Sequence, residues 1–382
     1  MEKKPSILDR HFLFLLLSLL LIEYVRAAYV ISYLPVQAAI GNQFSVAFVG
    51  LAVSLHFISD AFSNFQIGFL MNRFGVKKVV SFSLFTSLIA LVSVPLFQFH
   101  LFIILLASVV LGLGACPIWI IVLARATEGK RGSNMGLVYF CWLLGIAGGV
   151  ILMNYLMIDH FLFAYWLLPI FVGIAYIFFR FSGNHPNPNA KQQSFGDIFK
   201  QAIKVFIRSR KILPGTLVQS IAIGMMIPIL PTFVLQNLLL DYRHYMLLVT
   251  TAGVTAALFM IPLGRLTDYF KTKAMFITGF VFFGSGLILL TTAKSLILIF
   301  IMVFLLAIAY TAYLPSWNAF VASNIQTDDQ NVSWGIISSF QGIGTMLGPV
   351  IGGLLATFGS GLTVLISGLF FILLAIFYMI VK

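Results

Sequence analysis

Charge is what this sequence has least of. Only 9% of its 382 residues are Asp, Glu, Lys or Arg, against about a quarter in a soluble domain. A chain so poor in charge cannot clothe a soluble surface. Cysteine is nearly missing too. Cys116 and Cys141 both fall inside long apolar runs, with no spacing for a disulfide or a metal site, and read as small packing residues. The six histidines form no His-Glu-x-x-His, and no Gly-x-Ser-x-Gly elbow occurs, which removes two common hydrolase signatures. His56-x-x-x-Asp60 is one residue short of the His-x4-Asp spacing of many acyltransferases. An intramembrane enzyme is therefore the weaker class of reading. No catalytic residue, metal site or bound cofactor is expected.

What the chain has is apolar length: 60% of it is hydrophobic, almost all in runs of about twenty residues or more. At 1.5 Å per residue such runs cross a hydrocarbon core of about 30 Å as helices. Closed barrels, the other spanning solution, need short alternating strands, which these runs are not. An all-α membrane protein is predicted, with twelve spans near 12–34, 44–71, 77–97, 100–124, 134–157, 161–181, 212–238, 244–267, 274–293, 296–322, 333–357 and 362–381. The net charge of +12 follows topology and marks no nucleic-acid surface. With both termini in the cytoplasm, twenty of the 23 basic residues lie inside; Arg243 and Lys294 lie outside and Arg26 within the membrane. Such a bias fixes the orientation. Lys3, Lys4 and Arg10 precede the first run as in a signal peptide, but no small-residue cleavage site follows, so a retained span is expected. Asn331-Val-Ser333 fits a glycosylation acceptor on the side assigned to the cytoplasm and reads as chance.

One substantial break, residues 182–211, opens with Ser-Gly-Asn-His-Pro-Asn-Pro-Asn and divides six spans from six. The expected organisation is an N-terminal half over 1–181, a cytoplasmic linker over 182–211 and a C-terminal half over 212–382. Within the linker, Phe195, Ile198, Phe199, Ala202, Ile203 and Phe206 recur at helical spacing opposite Asp197, Lys200, Gln201, Lys204 and Arg208, after a Ser194/Asp197 capping box. That pattern predicts a basic amphipathic helix on the inner leaflet, tethering the halves. The halves repeat each other. Tyr33-Leu-Pro35 recurs as Ile229-Leu-Pro231 at an offset of 196, and Pro117-Ile-Trp119 as Pro315-Ser-Trp317 at 198. Gly145 and Gly149 match Gly344 and Gly348 at 199. A parallel six-span repeat with its site near the midplane between halves is the plan of many secondary transporters, and a monomer suffices for it.

Two opposite charges interrupt the first span. Glu23 and Arg26 are three residues apart, share a helix face and can pair, with Tyr29 and Tyr33 continuing that face. Each charge near a bilayer centre costs roughly 2.5–3.5 kcal/mol on insertion scales, so such groups face a bundle interior or a watery cavity. The second span adds His56 and Asp60, an i, i+4 pair on one face. Glu23, Arg26 and Asp60 form a candidate proton-binding set. Asp60 also fits a gate contact, and His56 fits a proton relay or an ordinary packed histidine. Adding 196 to Glu23, Arg26 and Asp60 lands on Gln219, Ala222 and Ala256, so the matching face of the second half is neutral. A cavity with one wet wall and one greasy wall suits an amphipathic ligand, headgroup to the first half and acyl chains to the second. Trp119 and Trp142 can stack on sugar rings and donate an indole N–H, or simply pack. Trp119 has a repeat partner in Trp317, which favours packing; Trp142 has none, which favours headgroup contact.

Three resemblances follow from these residues. Gly68-Phe-Leu-Met-Asn-Arg-Phe-Gly-Val-Lys-Lys78 and Gly264-Arg-Leu-Thr-Asp-Tyr-Phe-Lys-Thr-Lys273 resemble the Gly-x-x-x-Asp-Arg-x-Gly-Arg-Lys loop of the major facilitator superfamily, the first copy carrying Asn72 in place of Asp. Gly344-x-x-x-Gly348-Pro-x-x-Gly352-Gly353 is similar to the Gly-Pro motif of proton-coupled antiporters, on span eleven rather than five. More closely, Glu23-x-x-Arg26, His56-Phe-Ile-x-Asp60, Pro117-Ile-Trp119, Tyr139-Phe-x-Trp142-Leu-Leu-Gly145 and Leu314-Pro-x-Trp-Asn318 resemble the flippases of the lipoteichoic-acid anchor glycolipid in Gram-positive bacteria. So do Trp334-Gly335 and Gln341-Gly342. That family implies a proton-coupled transporter moving a diglucosyl-diacylglycerol across the cytoplasmic membrane. Its implied partners are that lipid and the surrounding bilayer, with the proton gradient as coupling ion. It also implies that Glu23, Arg26, Asp60, Trp119 and Trp142 are headgroup and proton residues. The runner-up is a proton-coupled exporter of small amphipathic drugs on the same fold.

Overall fold

The structure, a computed structural model, describes residues 10–40, 44–97, 99–126, 131–158, 161–183, 207, 210–269, 272–324 and 330–381. No strand occurs among them. Helix α1 begins as Arg10–Ala27, passes through a π-helical segment at Ala28–Tyr33 and resumes α geometry at Leu34–Ala39. Then follow α2 (Val46–Phe74), α3 (Val76–Leu96), α4 (Leu101–Ala126), α5 (Arg131–Leu156) and α6 (Phe161–Phe181). Helix α7 (Leu213–Met226) continues through Leu230–Thr232 into a second π-helical segment, Phe233–Asn237. The series closes with α8 (Tyr242–Tyr269), α9 (Thr272–Leu290), α10 (Leu296–Asn324), α11 (Gln330–Leu355) and α12 (Ser360–Ile380). Among the described residues, nine helices are long and apolar enough to cross a membrane, and α7 with its continuation, bent by 59°, makes a tenth. The two others are α5, with a shorter apolar stretch over Phe140–Leu156, and α8. The twelve segments fall where the apolar runs place them. Apart from Ile207, the amphipathic helix expected over 194–208 lies outside the described residues.

Helices this apolar stand because hydrocarbon offers the backbone no other partner. Side-chain hydroxyls obey the same rule by donating to carbonyls of their own helix: Ser87 to Ser83, Ser108 to Ile104 (both 2.9 Å) and Ser220 to Thr216 (2.8 Å). Outside the spans, Asp241 caps α8 by accepting the His244 backbone N–H at 2.8 Å. That bond, with the His244 ring behind it, holds its carboxyl below the usual range.

By contact density the chain forms two compact units, Met1–Leu34 with Leu55–Lys191, and Pro35–Ser54 with Gln192–Lys382. The same device packs a helix pair in each. In the first unit α5 lies on α1 through Gly145, where an added methyl would sit 2.5 Å from the Leu20 carbonyl oxygen and 3.0 Å from Glu23 Cβ. In the second, α11 lies on α7 through Gly344, where a methyl would meet the Leu217 oxygen and Ser220 Cβ, both at 2.6 Å. Small residues let backbones approach this closely.

This packing corrects the repeat register at the charged helix. Leu20 corresponds to Leu217 and Glu23 to Ser220, an offset of 197, which carries Arg26 to Ile223. The Leu-Pro pairs pointed instead to Gln219 and Ala222. The difference has a physical origin: Tyr24 to Pro35 is one residue longer than Ile221 to Pro231, and within that stretch α1 runs as a π-helix. A π segment absorbs one extra residue without leaving the helix. Under either register the second unit places neutral residues there.

Candidate functional site

The site begins with the stretch where α1 carries Glu23 and Arg26. Their side chains meet at 2.9 Å, as i, i+3 spacing on a helix allows. Asp60 on α2 brings a second carboxylate to the same guanidinium, 3.9 Å away. That distance is electrostatic contact rather than a hydrogen bond. Exposure separates the two acids. The Glu23 side chain is 2% exposed, while Arg26 and Asp60 are 21% and 20% exposed. Glu23 is thus the buried acid of the cluster, and Asp60 is the more exposed one. Two carboxylates share one guanidinium, so with both ionised the cluster has one negative charge more than positive. Gly145 of α5 seats Glu23 by letting the two backbones touch.

Helix α2 extends the polar strip in both directions from Asp60. One turn before it, His56 is fully buried, with Nδ1 3.2 Å from the Ser108 carbonyl of α4. A carbonyl only accepts, so Nδ1 carries the hydrogen. That leaves Nε2 as a lone-pair acceptor, buried with no hydrogen-bond partner among the described residues. One turn after Asp60 stands Asn64, whose side chain is exposed. Its Nδ2 donates to the Asp60 carbonyl at 3.0 Å, and its Oδ1 accepts from the Cys116 thiol of α4 at 3.1 Å. Cys116, expected as a packing residue, therefore also orients an amide.

Three residues past Cys116 on α4 comes Trp119, and three before Gly145 on α5 comes Trp142. Their rings lie 6.3 Å apart, tilted by 46°, and both are only partly buried. The repeat partner Trp317 behaves differently. It is 2% exposed, against Phe276 at 5.4 Å and Tyr378 at 5.3 Å, while Tyr378 donates to the Lys211 carbonyl at 2.8 Å. Trp317 is packed into an aromatic core, whereas Trp119 is half-buried beside Trp142.

The structure gathers Glu23, Arg26 and Asp60 into one contact cluster, places His56 a turn away on α2 and brings Trp119 and Trp142 together. Tyr29 and Tyr33, expected to continue the charged face, go into the core of the first unit. The Tyr29 hydroxyl donates to the Ile104 carbonyl at 3.2 Å, and the Tyr33 ring sits edge-on to Tyr165 at 4.9 Å. Asn64 and Cys116 escaped the sequence reading. The signal for Asn64 was its i+4 position from Asp60 on the second span. Cys116 had no signal, because its role depends on how α4 crosses α2. Among the described residues, no group of three or more His, Cys, Asp or Glu side chains is placed to hold a metal ion.

Comparison with known proteins agrees with this architecture. A sequence model of the Major Facilitator Superfamily matches residues 15–213 and again 212–382. The chain is 33% identical over 378 residues to the proton-coupled antiporter flippase LtaA of Staphylococcus saprophyticus, covering 97% of this chain and 94% of that protein. The same identity and coverage hold for the protein of that name from Staphylococcus aureus strain MSSA476. Among solved structures, the nucleoside transporter NupG superposes with a TM-score of 0.75 at 13% identity, covering 97% of this chain and 98% of that one. A D-xylose-proton symporter gives 0.72 at 16% identity, covering 98% and 97%. At those identities the two structures share the fold alone.

Proposed function

The chain belongs to the major facilitator superfamily, and from that premise we propose that it is a proton-coupled flippase for a glycolipid of the lipoteichoic-acid anchor type, diglucosyl-diacylglycerol, in the cell membrane. The observation that carries the reading is the confinement of charge. Glu23, Arg26 and Asp60 form a half-open cluster in the first unit, while the packing-equivalent positions of Glu23 and Arg26 in the second hold Ser220 and Ile223. A ligand with a polar head and apolar tails matches that division. The 33% identity to proteins named proton-coupled antiporter flippase supports it independently.

In this reading the headgroup engages Arg26, Asp60, Trp119 and Trp142, with the tryptophans stacking on sugar faces. Asp60 takes up the proton from the open side. Glu23, behind Arg26, shares the guanidinium, so a change in Asp60 charge alters how tightly Arg26 is held. His56 offers its Nε2 lone pair as a relay. Protonation and headgroup binding compete for the same guanidinium contacts, which couples the outward movement of lipid to inward movement of protons. The half over 1–181 handles the headgroup, the half over 212–382 the acyl chains, and the linker over 182–211 tethers them. The chain works as a monomeric transporter and not as an enzyme.

Fluorescent diglucosyl-diacylglycerol in proteoliposomes, with and without a pH gradient and beside a phospholipid control, tests the proposal. Gradient-dependent movement of the glycolipid alone is expected. No glycolipid movement, with dyes carried instead, would transfer the assignment to the amphipathic-drug exporter.

A further inference from the structure

We propose that Asn64 is a specificity-determining residue, donating an amide N–H to a sugar hydroxyl that lies between the charged cluster and the tryptophan pair. The inference rests on the glycolipid reading above. Its basis is where Asn64 stands and what its amide has left to give.

An asparagine amide has one carbonyl acceptor and two N–H donors. The Asn64 carbonyl is taken by the Cys116 thiol at 3.1 Å, which fixes which way the amide faces. One N–H goes to the Asp60 carbonyl at 3.0 Å. The second N–H has no partner among the described residues, and the side chain is exposed on α2 at the end of its membrane-spanning stretch, Val46–Asn64. An amide turned towards hydrocarbon with a donor unmet is costly, so the strip of α2 that bears Asp60 and Asn64 faces water or a polar ligand.

The neighbours indicate which ligand. Asn64 is one turn from Asp60, whose carboxylate accepts hydrogen bonds, and Arg26 beside it donates them. On the other side Asn64 holds Cys116, and Trp119 follows one turn along α4, next to Trp142. A donor thus sits between an ionic cluster and an aromatic platform. A polyol with ring faces to stack and hydroxyls to pair fits that sequence of groups, whereas a choline or ethanolamine head has its acceptors confined to the phosphate and no sugar ring to reach the tryptophans. In the proposal a disaccharide that touches both the cluster and the tryptophans also meets Asn64, and a monosaccharide held at either end need not. Asn64 then favours the longer headgroup.

The test compares initial flipping rates of fluorescent diglucosyl- and monoglucosyl-diacylglycerol over a range of lipid mole fractions, for wild type, Asn64→Ala, Asn64→Ser and Cys116→Ala, with thermal unfolding in detergent alongside. In Asn64→Ala the KM for the diglucosyl lipid should rise about tenfold, the loss of one hydrogen bond to a ligand. The kcat should change little, and preference over the monoglucosyl lipid should shrink in proportion. Asn64→Ser, which keeps an O–H donor, should restore part of the preference. Cys116→Ala, which frees the amide, should lose a smaller part. Unchanged KM and preference in Asn64→Ala, or an equal fall in kcat for both lipids, would overturn the inference and leave the flippase reading standing. A wild-type protein that moves neither glycolipid would overturn both.

Discussion

The two units solve one packing problem alike and put opposite chemistry on the result. In each, a helix bearing glycines four apart lies on another helix, α1 in one and α7 in the other, so closely that backbone meets backbone, at Gly145 and Gly149 in one and Gly344 and Gly348 in the other. At the seat of that contact the first unit has Glu23 where the second has Ser220, then Arg26 where the second has Ile223. The tryptophans diverge in the same sense, Trp119 half-buried and Trp317 closed into an aromatic core. Shared glycines build the scaffold, and the residues that differ between the units sit on it. A helix pair held by backbone contact leaves its side chains free to differ.

The strongest way to break this contrast is to erase its charged side. Glu23→Gln and Asp60→Asn keep size and shape while removing the carboxylate charge. Each should abolish gradient-driven flipping in proteoliposomes and leave the melting temperature near that of wild type. Wild-type rates in both would remove the proton role from this cluster. Next in size is the tryptophan pair. Trp317→Ala should destabilise by about 3–5 kcal/mol, as truncation of a buried aromatic does, read as a large fall in melting temperature. Trp119→Ala should melt near wild type and weaken glycolipid transport instead. Equal melting losses would return Trp119 to the core. The smallest effect tests the likeness rather than the difference. Gly145→Val and Gly344→Val should each cost roughly 1–3 kcal/mol by overpacking against a carbonyl that cannot retreat. A loss at one position only would show that the two packings are not the same device.

Much of this was legible in advance. Twenty-residue apolar runs give spans because length and hydrocarbon thickness leave little choice, and i, i+3 spacing alone was enough to pair Glu23 with Arg26. The approach of Asp60 to Arg26 could be guessed only as shared function, since it depends on how α1 and α2 cross. The register was misread by one residue, because Leu-Pro pairs lie beyond the extra residue and Glu23 lies before it. Trp119 and Trp317 look alike in sequence, and their difference comes from neighbours such as Gly215 and Tyr378, which crowd one of them. The link from Cys116 to Asn64 joins residues 52 apart, and no local pattern announces such a contact.

The π-helical segment Ala28–Tyr33 acts as a phase shifter for α1. Each residue of an α-helix advances the azimuth by about 100°, so one surplus residue absorbed without a loop resets the angle between everything before it and everything after. Glu23 and Arg26 lie before that segment, and Leu34 and Pro35 follow it. The charged face therefore owes its bearing to chain length as much as to side-chain identity. Removing a single residue between Ala28 and Tyr33 would leave every site residue in the sequence and point two of them elsewhere.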